Sequence, residues 1–327
     1  MERRFLIISV GVALALALSV LALNYYVDPF ARHASADDGF DRRPAYTLNR
    51  RIVRMVAFDR WLDEHPGVSP SVIVGDSTGA QVDERLMSEI TGEPWLNMSI
   101  GGGGLPEMAA IAEHLMQKTD LRRIVWFVPF TRMALDDQND VPRALEMVEA
   151  PLKHMLTYET TKGSLLVLRA TWFGVGFSDP TLDTGNTDAV TYQLSRIQTE
   201  MGGRPWPEAA MDEIRDLAER AAARGIPVTF VNPPLHPRTL AMLDEAFSER
   251  LKRYRAFFAG DCLLDFTGQV LEGRWKPEMY SDAVHLESEY KPALAKALAA
   301  AVSDDSACRR TGGGSMTKSM PSDATRR

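Results

Sequence analysis

Three side chains in this sequence are of the types that nucleophilic catalysis needs: a hydroxyl, an imidazole and a carboxylate. The hydroxyl is Ser77, in the run Val72-Ile73-Val74-Gly75-Asp76-Ser77-Thr78-Gly79. The other two lie near the far end of the chain, in Asp282-Ala283-Val284-His285. A serine is a weak nucleophile until a base takes its proton, and an imidazole works best when a carboxylate orients it. Ser77, His285 and Asp282 could therefore act as nucleophile, general base and orienting group, forming a covalent acyl-serine.

Each of these residues also has a plainer reading. Ser77 could cap a following helix, since Ser and Asp both do so well. Asp282 and His285 could be a surface pair at the mouth of the last helix. The run Gly101 to Gly104 could be only a permissive turn. As a phosphate cradle it lacks the following Lys-Ser/Thr, and G-x-G-x-x-G is not met. Gly75 to Gly79 fits G-x-S-x-G literally, the nucleophile pattern of α/β-hydrolases. The serine here ends the first strand of the domain, however, and Asp and His are only three residues apart. Both features argue against that fold. His236, in Pro-Pro-Leu-His-Pro, reads as a loop residue. His33, His65, His114 and His154 show no ligand spacing, so no catalytic metal and no cofactor are expected.

The elements that must position these residues follow from periodicity. Three β-branched residues running into Gly75 read as a buried strand ending in a tight turn. Trp95 to Ile100, Arg123 to Phe130, Pro227 to Val231 and Cys262 to Phe266 read as four more strands. Ile52, Val53, Val56, Ala57 and Trp61 mark an amphipathic helix over 48–62. Further helices are expected over 82–90, from Pro106 and over 207–224, the second with proline in its first turn. Strands alternating with helices imply a parallel sheet covered on both faces. The stretch 133–205 breaks the rhythm and reads as an inserted lobe, serving substrate contacts or packing alone. Residues 303–327 are small, polar and aperiodic, a composition expected to be disordered.

Bulk composition narrows the class. The chain has 327 residues, 45% apolar and 25% charged, with a net charge of −7. That is ordinary globular composition, and it excludes the broad basic field of a nucleic-acid binder. The two cysteines, Cys262 and Cys308, cannot build a zinc cluster. They could pair outside the cytoplasm, but an unpaired Cys262 is the favoured expectation. Residues 1–4 carry Arg3 and Arg4, and 5–27 form an uncharged apolar run. About 20 such residues span a bilayer. The preceding arginines favour an amino end in the cytoplasm, and Tyr25 and Tyr26 would lie at the far interface. A cleaved signal peptide processed near Val20-Leu21-Ala22 is the alternative. Residues 28–46 read as a linker and 47–302 as the folded domain.

Taken together, Gly-Asp-Ser after the first strand, Asn97-x-Ser99-x-Gly101-Gly102 after the second, and Asp282-x-x-His285 before the last helix resemble the SGNH, or GDSL-type, hydrolases. The resemblance covers about 71–301. It implies a flavodoxin-like three-layer α/β sandwich with a five-stranded parallel sheet, here with an N-terminal transmembrane helix. It implies an oxyanion hole made by the N–H of Ser77 with Gly101 or Gly102. The family's third block, usually Gly-x-Asn-Asp, is replaced here by Val128-Pro129-Phe130-Thr131-Arg132, leaving Thr131 or Arg132 as substitute donors or substrate contacts. Asn24-Tyr25-Tyr26-Val27-Asp28-Pro29-Phe30 after the anchor and Asn232-Pro233-Pro234 look like anchored members of bacterial envelopes. Those are the alginate O-acetylation proteins and the DltD-like proteins of teichoic acid D-alanylation. The implied function is a serine esterase or O-acyltransferase on an envelope polysaccharide or glycan. It would sit in the bacterial cytoplasmic membrane as a single-pass protein facing the periplasm. A multi-span membrane acyltransferase would be its partner. The alternative is a degenerate relative that binds or scaffolds a glycan.

Overall fold

A computed structural model of the chain describes residues 2–30, 32, 50–132, 139–174 and 188–304. The chain begins with helix α1 (Glu2–Val27) and helix α2 (Arg50–Glu64). Strand β1 (Ser71–Val74), α3 (Glu84–Thr91), β2 (Trp95–Asn97), α4 (Leu105–Lys118) and β3 (Arg123–Phe127) follow. Next come α5 (Val141–Glu149), α6 (Pro151–His154), α7 (Tyr158–Phe173), α8 (Ala189–Gly202) and α9 (Glu208–Ala223). The chain then forms β4 (Val228–Asn232), α10 (Pro237–Ala246), α11 (Ser248–Phe257), β5 (Leu263–Asp265), α12 (Thr267–Leu271) and α13 (Lys291–Ser303).

The chain divides into two compact units, residues 1–68 with 140–183, and residues 69–139 with 184–327. The second unit holds a five-stranded sheet in the order β2-β1-β3-β4-β5, with every pairing parallel. This is the flavodoxin-like order, and the α/β architecture expected from the sequence is observed. The strands are buried on both faces, which is why they read as continuous apolar runs. Ile73, Val125, Phe127, Val231 and Leu264 point to one face, where they join Leu294, Leu298 and Val302 of α13. On the other face Trp126 lies beside Phe230 in register, ring centroids 5.9 Å apart, and Phe230 meets Phe258. Cys262, just before β5, is disulfide-bonded. This corrects the expectation of an unpaired thiol; the chain's other cysteine, Cys308, lies outside the described residues.

The first unit contains α1, α2, α5, α6 and α7. Helix α1 meets the length and hydropathy of a membrane span, as a signal sequence also can, and no residue of its apolar window is fully buried. It ends at Asp28, whose φ of 45° turns the chain out of the helix. Phe30 then inserts among Ile52, Val56, Ala144 and Met147 of α2 and α5. Of the stretch expected as an inserted lobe, 133–205, residues 133–138 and 175–187 lie outside the described residues. Residues 140–174 pack with the amino-terminal helices, whereas α8 belongs to the sheet unit. Of the linker over 28–46, residues 31 and 33–46 lie outside the described residues, as do 305–327 of the tail.

Candidate active site

In a sheet of this order the chain leaves β1 in opposite directions, and a crevice opens at the carboxyl ends of β1 and β3. Ser77 lies there, on the turn after β1. Gly75 permits this turn to sit against β3, because a Cβ at Gly75 would fall 2.5 Å from the Cβ of Phe127. The turn after β2 is tied to the same place. Ile100 donates its N–H to the Gly75 carbonyl at 2.8 Å, so Gly101 and Gly102 follow directly beside the serine turn. Gly102 has φ +80°, a conformation that favours glycine. Among the described residues, no protein acceptor takes the N–H of Ser77, Gly101 or Gly102.

The expected base comes from far along the chain. His285 Nε2 lies 2.8 Å from Ser77 Oγ, and His285 Nδ1 lies 2.7 Å from Asp282 Oδ2. The second oxygen of Asp282 accepts the backbone N–H groups of Val284 and His285, both at 2.8 Å. Burial pushes the Asp282 carboxyl up. The hydrogen bond and charge of His285, with the two backbone donors, outweigh it and hold the group below its ordinary value. Asp282 therefore remains a carboxylate and keeps Nδ1 as the donor, leaving Nε2 to accept the serine proton. Ser77 caps no helix; Asp83 caps α3, accepting from the N–H groups of Arg85 and Leu86.

The loop carrying His285 is a short hairpin. Tyr280 and Leu286 form an antiparallel bridge, and Ser281 N–H donates to the His285 carbonyl. Three contacts fix it in space. Leu286 N–H donates to Gln81 Oε1 at 2.6 Å, joining it to the segment just after the serine. The Ala283 carbonyl accepts from Thr239 Oγ1 at 2.8 Å and from the His236 N–H at 3.1 Å. His236 itself caps α10 through Nδ1, which accepts the Arg238 N–H. Burial, with the charge of Arg238, lowers its pKa, which favours the neutral ring that Nδ1 needs to accept.

The third block is where the structure adds most. Phe130 to Arg132 form a 3-10 turn after β3. Thr131 is buried. The Arg132 Nε donates to Asp76 Oδ2 at 2.6 Å, and Asp76 is only 1% exposed. Asp76 Oδ1 accepts the Thr78 N–H at 2.8 Å and the Thr78 hydroxyl at 2.6 Å. The carboxylate preceding Ser77 is thus a strut inside the nucleophile turn, clamped to β3 by Arg132. Arg132, read from the sequence as an oxyanion donor or substrate contact, is engaged through Nε in this clamp. Asn97 has a similar part: its amide donates to the carbonyls of Gly79 and Val82, and its oxygen accepts the Ser99 N–H. Sequence reasoning assigned Asp76, Gln81, Asn97 and Thr239 no individual role. Only Asp76 and Asn97 carried a signal, as members of the two motifs.

A cleft of about 700 Å³ opens at the other end of the sheet, where Arg215, Ile226, Phe257 and Asp261 surround the start of β4. None of the residues above lines it.

No protein-family model and no curated protein matches this chain. It is similar to solved structures, and three serve as examples. One is a protein from Desulfitobacterium hafniense assigned as lipolytic and of the G-D-S-L family, with 12% identity, covering 71% of this chain and 98% of that one, TM-score 0.35. Another, from Bacteroides fragilis, is assigned as an acylhydrolase, with 14% identity over 75% and 95% of the two chains, TM-score 0.39. The third, from Streptococcus pneumonia, is assigned as a platelet activating factor, with 13% identity over 74% and 88%, TM-score 0.37. At these values the likeness adds nothing to the reading of the site, which rests on its own geometry.

Proposed function

We propose that this chain is a membrane-anchored SGNH-type serine esterase or O-acyltransferase, acting on an envelope polysaccharide or glycan on the outer face of a bacterial cytoplasmic membrane. The observation that carries this reading is the continuous hydrogen-bonded chain Ser77–His285–Asp282 at 2.8 and 2.7 Å. Ser77 Oγ attacks the acyl carbonyl as His285 Nε2 takes its proton. The carbonyl oxygen becomes an oxyanion, received by the N–H groups of Ser77 and of Gly101 or Gly102. Each such donor contributes a few kcal/mol to the transition state. Collapse expels the leaving alcohol, which takes the proton from His285, and leaves an acyl-serine. Water or a sugar hydroxyl then gives its proton to His285 and attacks the acyl-serine; the acyl–oxygen bond breaks and His285 returns the proton to Ser77 Oγ.

The outward-facing location is supported by α1, with Arg3 and Arg4 before the apolar run, and by the disulfide at Cys262, a bond favoured in oxidising compartments. A transferase working there needs acyl groups carried across the bilayer, which motivates a multi-span acyltransferase as partner. The absence of the third-block Asn supports a second reading, a domain that binds or scaffolds a glycan without turnover.

Intact-mass analysis of the full chain after incubation with p-nitrophenyl acetate separates the two. An acetyl adduct on the native protein and none on Ser77→Ala supports the enzyme. Faster loss of the adduct with added oligosaccharide than in water supports transfer. No adduct on folded native protein refutes catalysis and favours binding.

A further inference from the structure

Helix α7 carries an exposed stripe that nothing in the acyl chemistry uses. Tyr158, Lys162, Leu165, Arg169 and Trp172 recur at intervals of four and three, so they lie on one face. All five are exposed, and Phe173 flanks them. The large apolar members are far from half-hearted in this: Tyr158 is 80% exposed, Leu165 56%, Trp172 69% and Phe173 73%. The stripe holds two cations and no acid. Among the described residues neither Lys162 nor Arg169 has an ion-pair partner. The opposite face, Thr160, Gly163, Ser164, Val167 and Ala170, is buried.

That buried face packs on α1, and a polar lock sets the level at which it does so. Asn24 is fully buried. Its amide donates to the Met155 carbonyl at 2.5 Å and to Thr161 Oγ1 at 3.0 Å, and its oxygen accepts the Ser164 hydroxyl at 2.7 Å. A hydrocarbon core of about 30 Å takes about 20 helical residues. Counted from Phe5, the span ends at Asn24. The amino-terminal half of α7 is therefore held at the depth where acyl chains give way to headgroups. Tyr25 and Tyr26, 60% and 74% exposed, mark the same level on α1.

We propose that α7 is an interfacial helix, lying with its Tyr158–Trp172 stripe in the outer leaflet of the bilayer that α1 crosses. Tryptophan and tyrosine concentrate at this depth because their rings are apolar and their tips polar. Lys162 and Arg169 extend their stems over the apolar residues and reach lipid phosphates. Aromatic and aliphatic side chains interleaved with long cationic ones suit the boundary between acyl chains and headgroups, where both kinds of surface are satisfied. The lipid is continuous with that around α1, so one solvent covers both surfaces. The domain is thereby held at the membrane by two contacts, a span and a surface helix.

The proposal rests on α1 being a retained membrane span, and the test separates the two. The full chain is reconstituted in phosphatidylcholine nanodiscs, with or without lipid brominated near the headgroup end of its acyl chains. Residues 1–27 contain no tryptophan, so quenching cannot arise from the span. Bromolipid is expected to quench native emission, and Trp172→Phe, a conservative surface change, is expected to lose most of that quenching. Equal quenching of the two proteins would overturn the proposal while leaving the anchor intact. Carbonate extraction of native membranes tests the anchor; release of the chain would overturn both. A photocrosslinker at position 172 that gives a discrete protein adduct in cells, and no lipid adduct, would overturn the lipid assignment in favour of a protein partner.

Discussion

Replacing Arg132 with methionine isolates the clamp beneath the nucleophile. The change keeps most of the side-chain volume and removes the guanidinium from Asp76. The carboxylate is 1% exposed and the arginine side chain 17%, so water replaces little of what is lost. Opposite charges about 4 Å apart attract by about 4 kcal/mol at an effective dielectric of 20. Breaking a buried pair on one side typically costs about 3–5 kcal/mol. Asp76 keeps its two bonds from Thr78. We therefore place Arg132→Met near the low end, about 3 kcal/mol, or roughly 150-fold in the folded ratio. Urea unfolding of the purified chain, followed by the emission of the buried Trp126, measures this. Acetyl-adduct formation on Ser77 is expected to slow by about 10-fold or more, since small misplacements of reacting groups are costly. Asp76→Asn with Arg132→Met should recover much of the stability, because neither charge is then left buried alone. A single-variant loss below about 0.5 kcal/mol, the range of ordinary surface changes, would refute the strut. So would a double variant no more stable than Arg132→Met.

Three further outcomes follow from the site. Asp282→Asn should leave the fold intact and slow acylation by about 10³- to 10⁴-fold, because the amide favours the wrong histidine tautomer. The folded Asp282 carboxyl is held below its ordinary value, so its contribution to stability is present above the unfolded value and is lost as pH falls through the folded one. The stability gap between native protein and Asp282→Asn should thus be full at neutral pH and close in acid below about pH 4, measured by urea midpoints across that range. Gly75→Ala would place a Cβ 2.5 Å from Phe127 Cβ, forcing β1 from β3. Overpacking of this kind costs about 1–3 kcal/mol, and the adduct should be lost or strongly slowed even at temperatures where circular dichroism shows the variant folded.

What could be read from the sequence was whatever is local. β1, β3 and β4 were legible because strands buried on both faces are runs of Val, Ile and Phe, and Gly75 and Pro106 punctuate their own neighbourhoods. Ser77, Asp282 and His285 were legible as types, and their motifs placed them on turns. The strut was not, because Asp76 and Arg132 are 56 residues apart and meet only through the approach of β1 to β3. β2 is shorter than expected, ending at Asn97: Met98 and Ile100 still donate to the carbonyls of Ile73 and Gly75, but the Ser99 N–H turns back to the Asn97 side chain. The division of 133–205 was also out of reach. So was the bond of Ser164 to Asn24 across 140 residues, a match between one amide and one hydroxyl that no periodicity announces.

The nucleophile and its base are separated by 208 residues. During synthesis Ser77 therefore emerges long before the residue that activates it. The hairpin bearing His285 is held by Gln81, His236 and Thr239, and it closes only when segments from three parts of the chain have met. A growing or partly folded chain carries an ordinary alcohol at position 77. Any activation of Ser77 by His285 therefore waits until that hairpin has closed.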